Sequence, residues 1–506
     1  MRFFYTMTNK TSDGSEGHSP DSSLSAKVHK GTIWVSIATI CARGLNVLSA
    51  IILARLMAPK EFGLMAVIMA IIAFSQGTTQ TGFESALIQK QERPDDFLNT
   101  TWTFELLRHL ILFLIIFLAA PFLASFFNDP SAVTILRVTS MILVFQSLRN
   151  IGVVYFRKNL DFKNQFLFEI VPMIANICVV IPLAFFLKNV WALVWASLAT
   201  SIVTCCISYI MHPYRPRVDF NIRRASNLFT FGKWILGESI LGMIREQGIT
   251  MFVGKFLGIQ TLGFFNRAVV FSSMILQQII LIVWKVGYPA YSQLQYHPER
   301  FKQVFLKTLQ LLTFIGIPMA GGLFVLSYDF VHLFLTDKWL NIVPLMQILC
   351  LQAMFNIINT PAEITFQASG NPGIGTKIST FGVIILAITV YPLTVYYGVT
   401  GTVISLFLSV FITSPIVWYM SMKIIRCSFP EFIKPIALSL ISTIIMIASI
   451  FCIKKHIAVQ IGFIGFVELI VAGIIIYCSI TLLFDKFANY GMYRLIRERI
   501  GVGDMT

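Results

Sequence analysis

Side chains that ionise or hydrogen-bond strongly are scarce within the long apolar runs of this chain, and they are the groups that could hold an ion, an anion or a sugar. In the first run Thr32, Ser36, Thr39, Arg43, Asn46 and Ala50 recur at steps of three and four. That spacing lays them along one helical face, with Arg43 near its middle. A charge at mid-bilayer costs about 2.5–3.5 kcal/mol on insertion scales, so it needs a partner or a wet cavity. Two readings stay open: a polar packing seam with a buried ion pair, or a cavity wall that presents a cation. In a later run Glu238, Gly242 and Arg245 share a face, whereas Glu246 points roughly 100° away from its neighbour Arg245 and must find its own surroundings. Gln76, Gln80 and Glu84, four apart in SQGTTQTGFES, form a face that no lipid-exposed helix would carry. Glu105, Arg108 and His109 are close enough to satisfy one another. Arg137, Arg149, Glu169 and Lys285 lie toward the ends of their runs, where long side chains reach the interface.

None of these groups forms a catalytic constellation, and the chain is not expected to be an enzyme. SGNPGIG (Ser369 to Gly375) reads as a turn, because a phosphate-binding loop needs a strand before it, a helix after it and, for a P-loop, Lys-Ser/Thr. ATP hydrolysis by this chain is therefore not expected; an ion gradient, the membrane potential or the substrate gradient must supply the energy. The eight cysteines are scattered without ligand spacing, seven in apolar runs and Cys427 in a short connection, so they read as packing residues. No cofactor or metal site is expected.

The elements that must position these residues follow from composition. Of 506 residues 56% are hydrophobic and only 12% charged, where a soluble domain carries about 25% charge. A membrane helix takes about 20 apolar residues, so the chain holds enough for about 14 spans. Windows of that length place them at 31–54, 62–85, 102–127, 132–154, 166–187, 190–211, 229–252, 262–289, 308–333, 341–366, 376–397, 401–422, 435–453 and 458–484. Strands of an outer-membrane barrel would alternate polar and apolar residues, and these runs do not. The class is an all-α polytopic membrane protein. Lys and Arg number 23 in the connections and tails on the side holding both termini and 7 on the other. That asymmetry places both termini in the cytoplasm. It also accounts for much of the net charge of +15, so runs such as RPRVDFNIRR read as orientation signals beside anionic lipid, not as nucleic-acid sites.

The chain repeats itself. LARLMAPKEFGL (Leu53 to Leu64) returns 200 positions later as VGKFLGIQTLGF (Val253 to Phe264), with Trp34 and Trp234 at the same offset. ILVFQSLRNI (Ile142 to Ile151) returns as ILCLQAMFNI (Ile348 to Ile357) at an offset of 206. A unit of six spans is even-numbered, so the halves insert the same way up, and a substrate pathway is expected at the interface of such parallel repeats. The expected organisation is a disordered tail over 1–30, a first lobe over 31–211, a cytoplasmic linker over 212–228, a second lobe over 229–423, an appended helix pair over 424–484 and a tail over 485–506.

The segment ILARLMAPKEFGLMAVIMAIIAFSQGTTQTGFESALIQKQ resembles the polysaccharide transporter family of the multidrug/oligosaccharidyl-lipid/polysaccharide (MATE-like) exporter superfamily. FGKWILGESILG, LGFFNRA, YPAYSQLQ and DKWLNIVPLMQIL continue the likeness, which runs over roughly 27–425 and looks closest to the colanic acid and teichuronic acid exporter branch. The resemblance implies a bacterial inner-membrane flippase: two six-helix lobes around a cationic cavity, moving undecaprenyl-pyrophosphate-linked oligosaccharide outward by alternating access. Arg43, Asn46, Gln76, Gln80, Arg149, Arg245 and Lys285 are then the candidate contacts to pyrophosphate and sugar, because guanidinium forks match phosphate oxygens. Glu84, Glu238 and Glu246 are the candidates for proton or ion coupling. Lipid-linked oligosaccharide, membrane lipids and a polysaccharide polymerase or export machinery are the expected partners. One rival, a cation-coupled drug antiporter of the same superfamily, would want an acid-dominated cavity, and the spans hold 9 basic residues against 8 acidic ones. Another, a membrane glycosyltransferase or polymerase, would carry large outer loops, and those expected here are a few residues each.

Overall fold

The computed structural model describes residues 44–83, 95–159, 161–221, 240, 242–274, 276–456 and 462–488. Arg43, Glu84, Glu238, the Thr32–Ser36–Thr39 face, the tail over 1–30 and residues 489–506 of the other tail lie outside them. Helices dominate, with no strand among the described residues. In chain order they are α1 (Gly44–Leu56), α2 (Pro59–Thr78), α3 (Asp95–Phe126), α4 (Ala132–Ser147), the short α5 (Val154–Lys158), α6 (Phe162–Leu187), α7 (Trp191–Met211), α8 (242–256), α9 (Ile259–Ser273), α10 (Leu276–Leu294), α11 (Pro298–Phe330), α12 (Val343–Ala368), α13 (Pro372–Ile425), α14 (Phe429–His456) and α15 (Phe463–Ala488).

Among the described residues nine helices are long and apolar enough to cross a membrane, with α1 and α4 as shorter apolar helices. The all-α membrane class therefore holds, while the count of fourteen is not established. α3 shows how one sequence serves both lipid and protein. Its Leu112, Ile116, Ala120 and Ala124, four apart, are buried, while Leu114, Leu118 and Phe122 on the other side are exposed. At 32 residues α3 is about 48 Å long, more than the hydrocarbon thickness, so its ends reach the interfaces.

Four expected spans differ in form. The run 132–154 is not one helix: α4 stops at Ser147 and a 3-10 turn, Ile151–Val153, precedes α5. The run 262–289 is divided between α9 and α10. The runs 376–397 and 401–422 join in α13, whose 54 residues bend at Gly398 (φ 60°, ψ −141°), a conformation open essentially to glycine alone. The two halves also share backbone features. Asn128 and Thr336 have positive φ and each precedes an aspartate (Asp129, Asp337) after the third long run of its half; Lys188 and Gly398, also at positive φ, follow the fifth. These pairs extend the offsets of 200 and 206 seen in the sequence.

The described residues form two compact units, divided between residues 266 and 267. In the first, α3 packs along α4, α4 along α7, and α6 along α7. In the second, α11 packs against α12 and α14, α12 against α13, and α15 against α14. The connection before α14 holds Cys427, whose thiol is pushed up to about 11 by burial and by the nearby Glu431 carboxylate, so it is an inert packing group.

Ion pairs fasten α14 to α11 at both ends. Lys302 Nζ lies 2.8 Å from Glu431, and Lys454 pairs with buried Asp329. The Tyr477 hydroxyl adds a bond from α15 to the Phe314 carbonyl at 2.9 Å. Breaking a buried pair leaves one charge uncompensated, so Asp329→Ala is expected to cost about 3 kcal/mol of unfolding free energy. Asp329→Leu with Lys454→Leu should restore most of it, as read by thermal unfolding in detergent.

Candidate functional site

A connected polar cluster forms where the end of α2 meets the first third of α3, at the membrane face that the charge count assigns to the cytoplasm. Arg108 holds Glu105 with two bonds to the same carboxylate oxygen, 3.0 Å from Nε and 2.5 Å from Nη2. Its Nη1 reaches the Gln76 carbonyl at 3.2 Å and the Thr79 hydroxyl at 3.3 Å, and Nη2 also lies 3.3 Å from His109 Nε2. A guanidinium has five N–H donors, and all five are engaged. The other oxygen of Glu105 accepts from Thr81 at 2.6 Å. His109 Nδ1 lies 2.8 Å from the Glu105 carbonyl, which can only accept. Nδ1 therefore carries the proton, and Nε2 offers its lone pair to Arg108.

The expectation that Glu105, Arg108 and His109 satisfy one another locally is met, but the cluster reaches further. Gln76 donates to Gln146 of α4 at 2.5 Å. Gln76 and Gln146 thus extend the polar surface from α2 and α3 to α4. Gln80 does not follow Gln76 along a helical face, because α2 ends at Thr78. Ser75, Thr78 and Thr79 turn their hydroxyls back to carbonyls four residues earlier, at 2.7–2.8 Å, and Gly82 adopts φ 70°. Hydroxyls bonded in this way weaken the helix that carries them. Gln80 is exposed in the turn that results.

The remaining candidates are dispersed. Asn46 of α1 is half-buried and donates to the Met173 sulfur of α6 at 3.2 Å, a weak acceptor. On α8 Arg245 is half-buried and Glu246 exposed, as their adjacency requires. Lys285 belongs to α10. Arg267 of α9, counted in the charge tally without being singled out, has its Nε shut away from solvent.

A second feature had no sequence signal strong enough to reveal it: the start of the expected linker is bound down. Asn150, fully buried after α4, donates from its amide to the carbonyls of His212 (3.3 Å) and Tyr214 (2.6 Å), and its Oδ1 accepts the Gly152 amide at 2.9 Å. Further along, the Tyr214 hydroxyl donates to Asn99. The Arg217 amide donates to Asn99 Oδ1 at 2.9 Å, the Asp219 amide to Thr103 at 2.9 Å, and Thr100 to the Asp219 carboxylate at 2.6 Å. The His212 ring stacks on Tyr155 with centroids 5.7 Å apart. Residues 212–221 are therefore a strap across α3 and the broken end of α4. The polar run NTTWT (Asn99 to Thr103) at the head of α3 is the one hint of it in the sequence.

The chain matches the polysaccharide biosynthesis protein family over residues 52–344. Its relatives include the lipopolysaccharide biosynthesis protein WzxC of Escherichia coli, 25% identical over 71% of this chain and 73% of that one. The succinoglycan biosynthesis transport protein ExoT of Rhizobium meliloti is 24% identical over 63% and 64%. Among solved structures the fold is similar to that of the lipid II flippase MurJ in an inward closed conformation, with a TM-score of 0.74 over 90% of this chain and 99% of that one at 19% identity. With the family match spanning more than half of its length, on a helical membrane fold that carries polar clusters inside its runs, the chain belongs to the polysaccharide biosynthesis protein family.

Proposed function

We propose that this protein moves a lipid-linked oligosaccharide, a repeat unit of a surface polysaccharide on an undecaprenyl-pyrophosphate-type carrier, from the inner to the outer leaflet of the bacterial inner membrane. The observation that carries this reading is the family match over 52–344 in a chain whose fold aligns along almost all of a lipid flippase. A sequence relative named as a transport protein of polysaccharide synthesis supports it. Both termini face the cytoplasm in this reading, and a polysaccharide polymerase receives the flipped unit. Transport runs by alternating access. Arg43, Arg149, Arg245 and Lys285 offer cations to the pyrophosphate, while Asn46, Gln76 and Gln80 offer amides to the sugar. Glu84, Glu238 or Glu246 couples movement to an ion gradient. Arg108 is not among these groups, because its donors are already spent on Glu105, His109, Gln76 and Thr79.

Depletion of the chain in cells is the deciding experiment. A lipid-linked oligosaccharide should accumulate, inaccessible from the outer face of the membrane. Unchanged carrier pools together with export of a cationic dye would instead establish the drug-antiporter alternative. Within this reading Arg43→Ala is expected to lower flipping at least tenfold at normal protein level, since losing a charge-assisted phosphate contact costs about 1.5–3 kcal/mol. Full activity of that variant removes Arg43 from the mechanism.

A further inference from the structure

The N-terminal ends of two repeat-related helices, α2 and α9, meet backbone against backbone. A methyl carbon placed on Gly63 would lie 1.8 Å from the Ile259 carbonyl oxygen, and one placed on Gly263 would lie 1.8 Å from the Pro59 carbonyl oxygen. Gly63 and Gly263 are 200 positions apart, as are Pro59 and Ile259, which is the offset of the sequence repeat. The contact is therefore reciprocal, the pattern that a local two-fold axis imposes. Both glycines are buried, and all four residues lie in one compact unit. Backbones approach this closely only where no side chain intervenes.

A second contact holds the same end. Lys255, just beyond this crossing at the end of α8, donates to the Phe126 carbonyl at the end of α3 at 2.6 Å, and its Nζ lies 4.5 Å from the centre of the Phe126 ring. A cation at a helix C-terminus is favourably placed. The other end of α2 differs. There a methyl on Gly77 would meet the Met243 side chain, 2.2 Å from Cγ, and an unbranched thioether yields where a carbonyl does not. Rigid backbone contact thus lies at the end that the charge count assigns to the periplasm, and yielding contact at the other.

We infer that Gly63 and Gly263 are positioning residues for transport: their backbone crossing, latched by Lys255, is an outer seal that is shut in this conformation and must part for substrate to leave. The inference rests on the flippase reading for its purpose. It does not rest on that reading for its test.

The test is a distance measurement by electron–electron double resonance on the full-length protein in lipid nanodiscs. Spin-labelled non-canonical residues replace exposed Lys60 and Gln260, repeat mates beside the crossing, and leave the native cysteines in place. Gly63→Ala or Gly263→Ala is expected to raise the ratio of long to short distances about tenfold, because the carbonyl it meets cannot move aside. Either methyl alone separates the pair, so the double variant should shift no further than a single one. Lys255→Met removes the latch without crowding and should raise the ratio about threefold. Gly254→Ala, whose methyl meets side chains only, at 3.0–3.4 Å, should leave the ratio as it is. Unchanged distances in both glycine variants overturn the inference. Should neither variant reach the membrane, an unchanged ratio in Lys255→Met overturns it. A shift in distances without accumulation of carrier on depletion leaves the seal standing and removes the flippase reading.

Discussion

Arg108→Leu is expected to lower the unfolding free energy by about 3–5 kcal/mol, the cost of removing one partner from a buried ion pair. The guanidinium is 17% exposed and the Glu105 carboxylate 16%, so water replaces little of what is lost. Two further losses accompany the charge. The Gln76 carbonyl at the end of α2 loses its bond at 3.2 Å and keeps the Thr79 hydroxyl at 3.3 Å, while that hydroxyl loses Arg108 as a donor, so the helix end is less well served. The second change that tests the account is Glu105→Gln on top of Arg108→Leu. With both charges gone the stranded carboxylate is gone too, and more than half of the lost stability should return. Arg108→Lys should fall between, because three donors on a point charge cannot make five fixed bonds. Thermal unfolding in detergent and the amount of protein in the membrane read all three. A saturated guanidinium also predicts that transport per folded molecule changes far less than stability does. The reverse pattern, normal stability with lost transport, would make Arg108 a substrate ligand.

The helical membrane class was legible because hydropathy is summed over about twenty residues, and no single misplaced residue changes the sum. What the sequence hid was decided by single groups. Glu105, Arg108 and His109 were legible as neighbours from spacing alone, but their partners on the last turn of α2 and just beyond it sit 24 to 32 residues away and carry no local mark. The four-residue spacing of Gln76, Gln80 and Glu84 suggested a continuing helix, yet hydroxyls at Ser75, Thr78 and Thr79 and the positive φ of Gly82 end it first. The fourth run gives the sharpest contrast. Asn150-Ile151 and Asn356-Ile357 are repeat mates, but the first pair lies in a break and the second lies inside α12. At the next position the mates are Gly152 and Ile358. A methyl on Gly152 would lie 2.3 Å from His212 Nδ1, whereas Ile358 is a buried apolar residue within its helix. The glycine lets the strap come in close, and the isoleucine packs as helix. The repeat therefore predicted which residues correspond without predicting where one copy had been put to another use.

That use makes Asn150 the residue on which the strap hangs, and Asn150→Ala is expected to release residues 212–221. The variant deletes two donors and one acceptor, but the three losses differ. The carbonyls of His212 and Tyr214 also accept from Arg215 Nη1, at 2.9 and 3.0 Å, so each keeps a donor. The amide of Gly152 loses the Oδ1 that accepts from it at 2.9 Å, and Gly152 is buried. The backbone N–H at position 150 still donates to the Ser208 hydroxyl at 2.9 Å in the variant, so the turn itself persists. One buried orphan with some lost packing amounts to about 2–4 kcal/mol. The effect should be local: faster amide exchange over 212–221, and new tryptic cleavage after Arg217, while α6 and α7 exchange as before. Asn150→Asp should do more harm than alanine, because it keeps the acceptor for Gly152 but turns a negative oxygen toward the Tyr214 carbonyl, 2.6 Å from the atom it replaces. If exchange over 212–221 is the same in both variants as in the parent, the contacts to Asn99, Thr100 and Thr103 hold the strap unaided. The chain beyond α7 would then be anchored on α3 alone, and the break after α4 would need another cause.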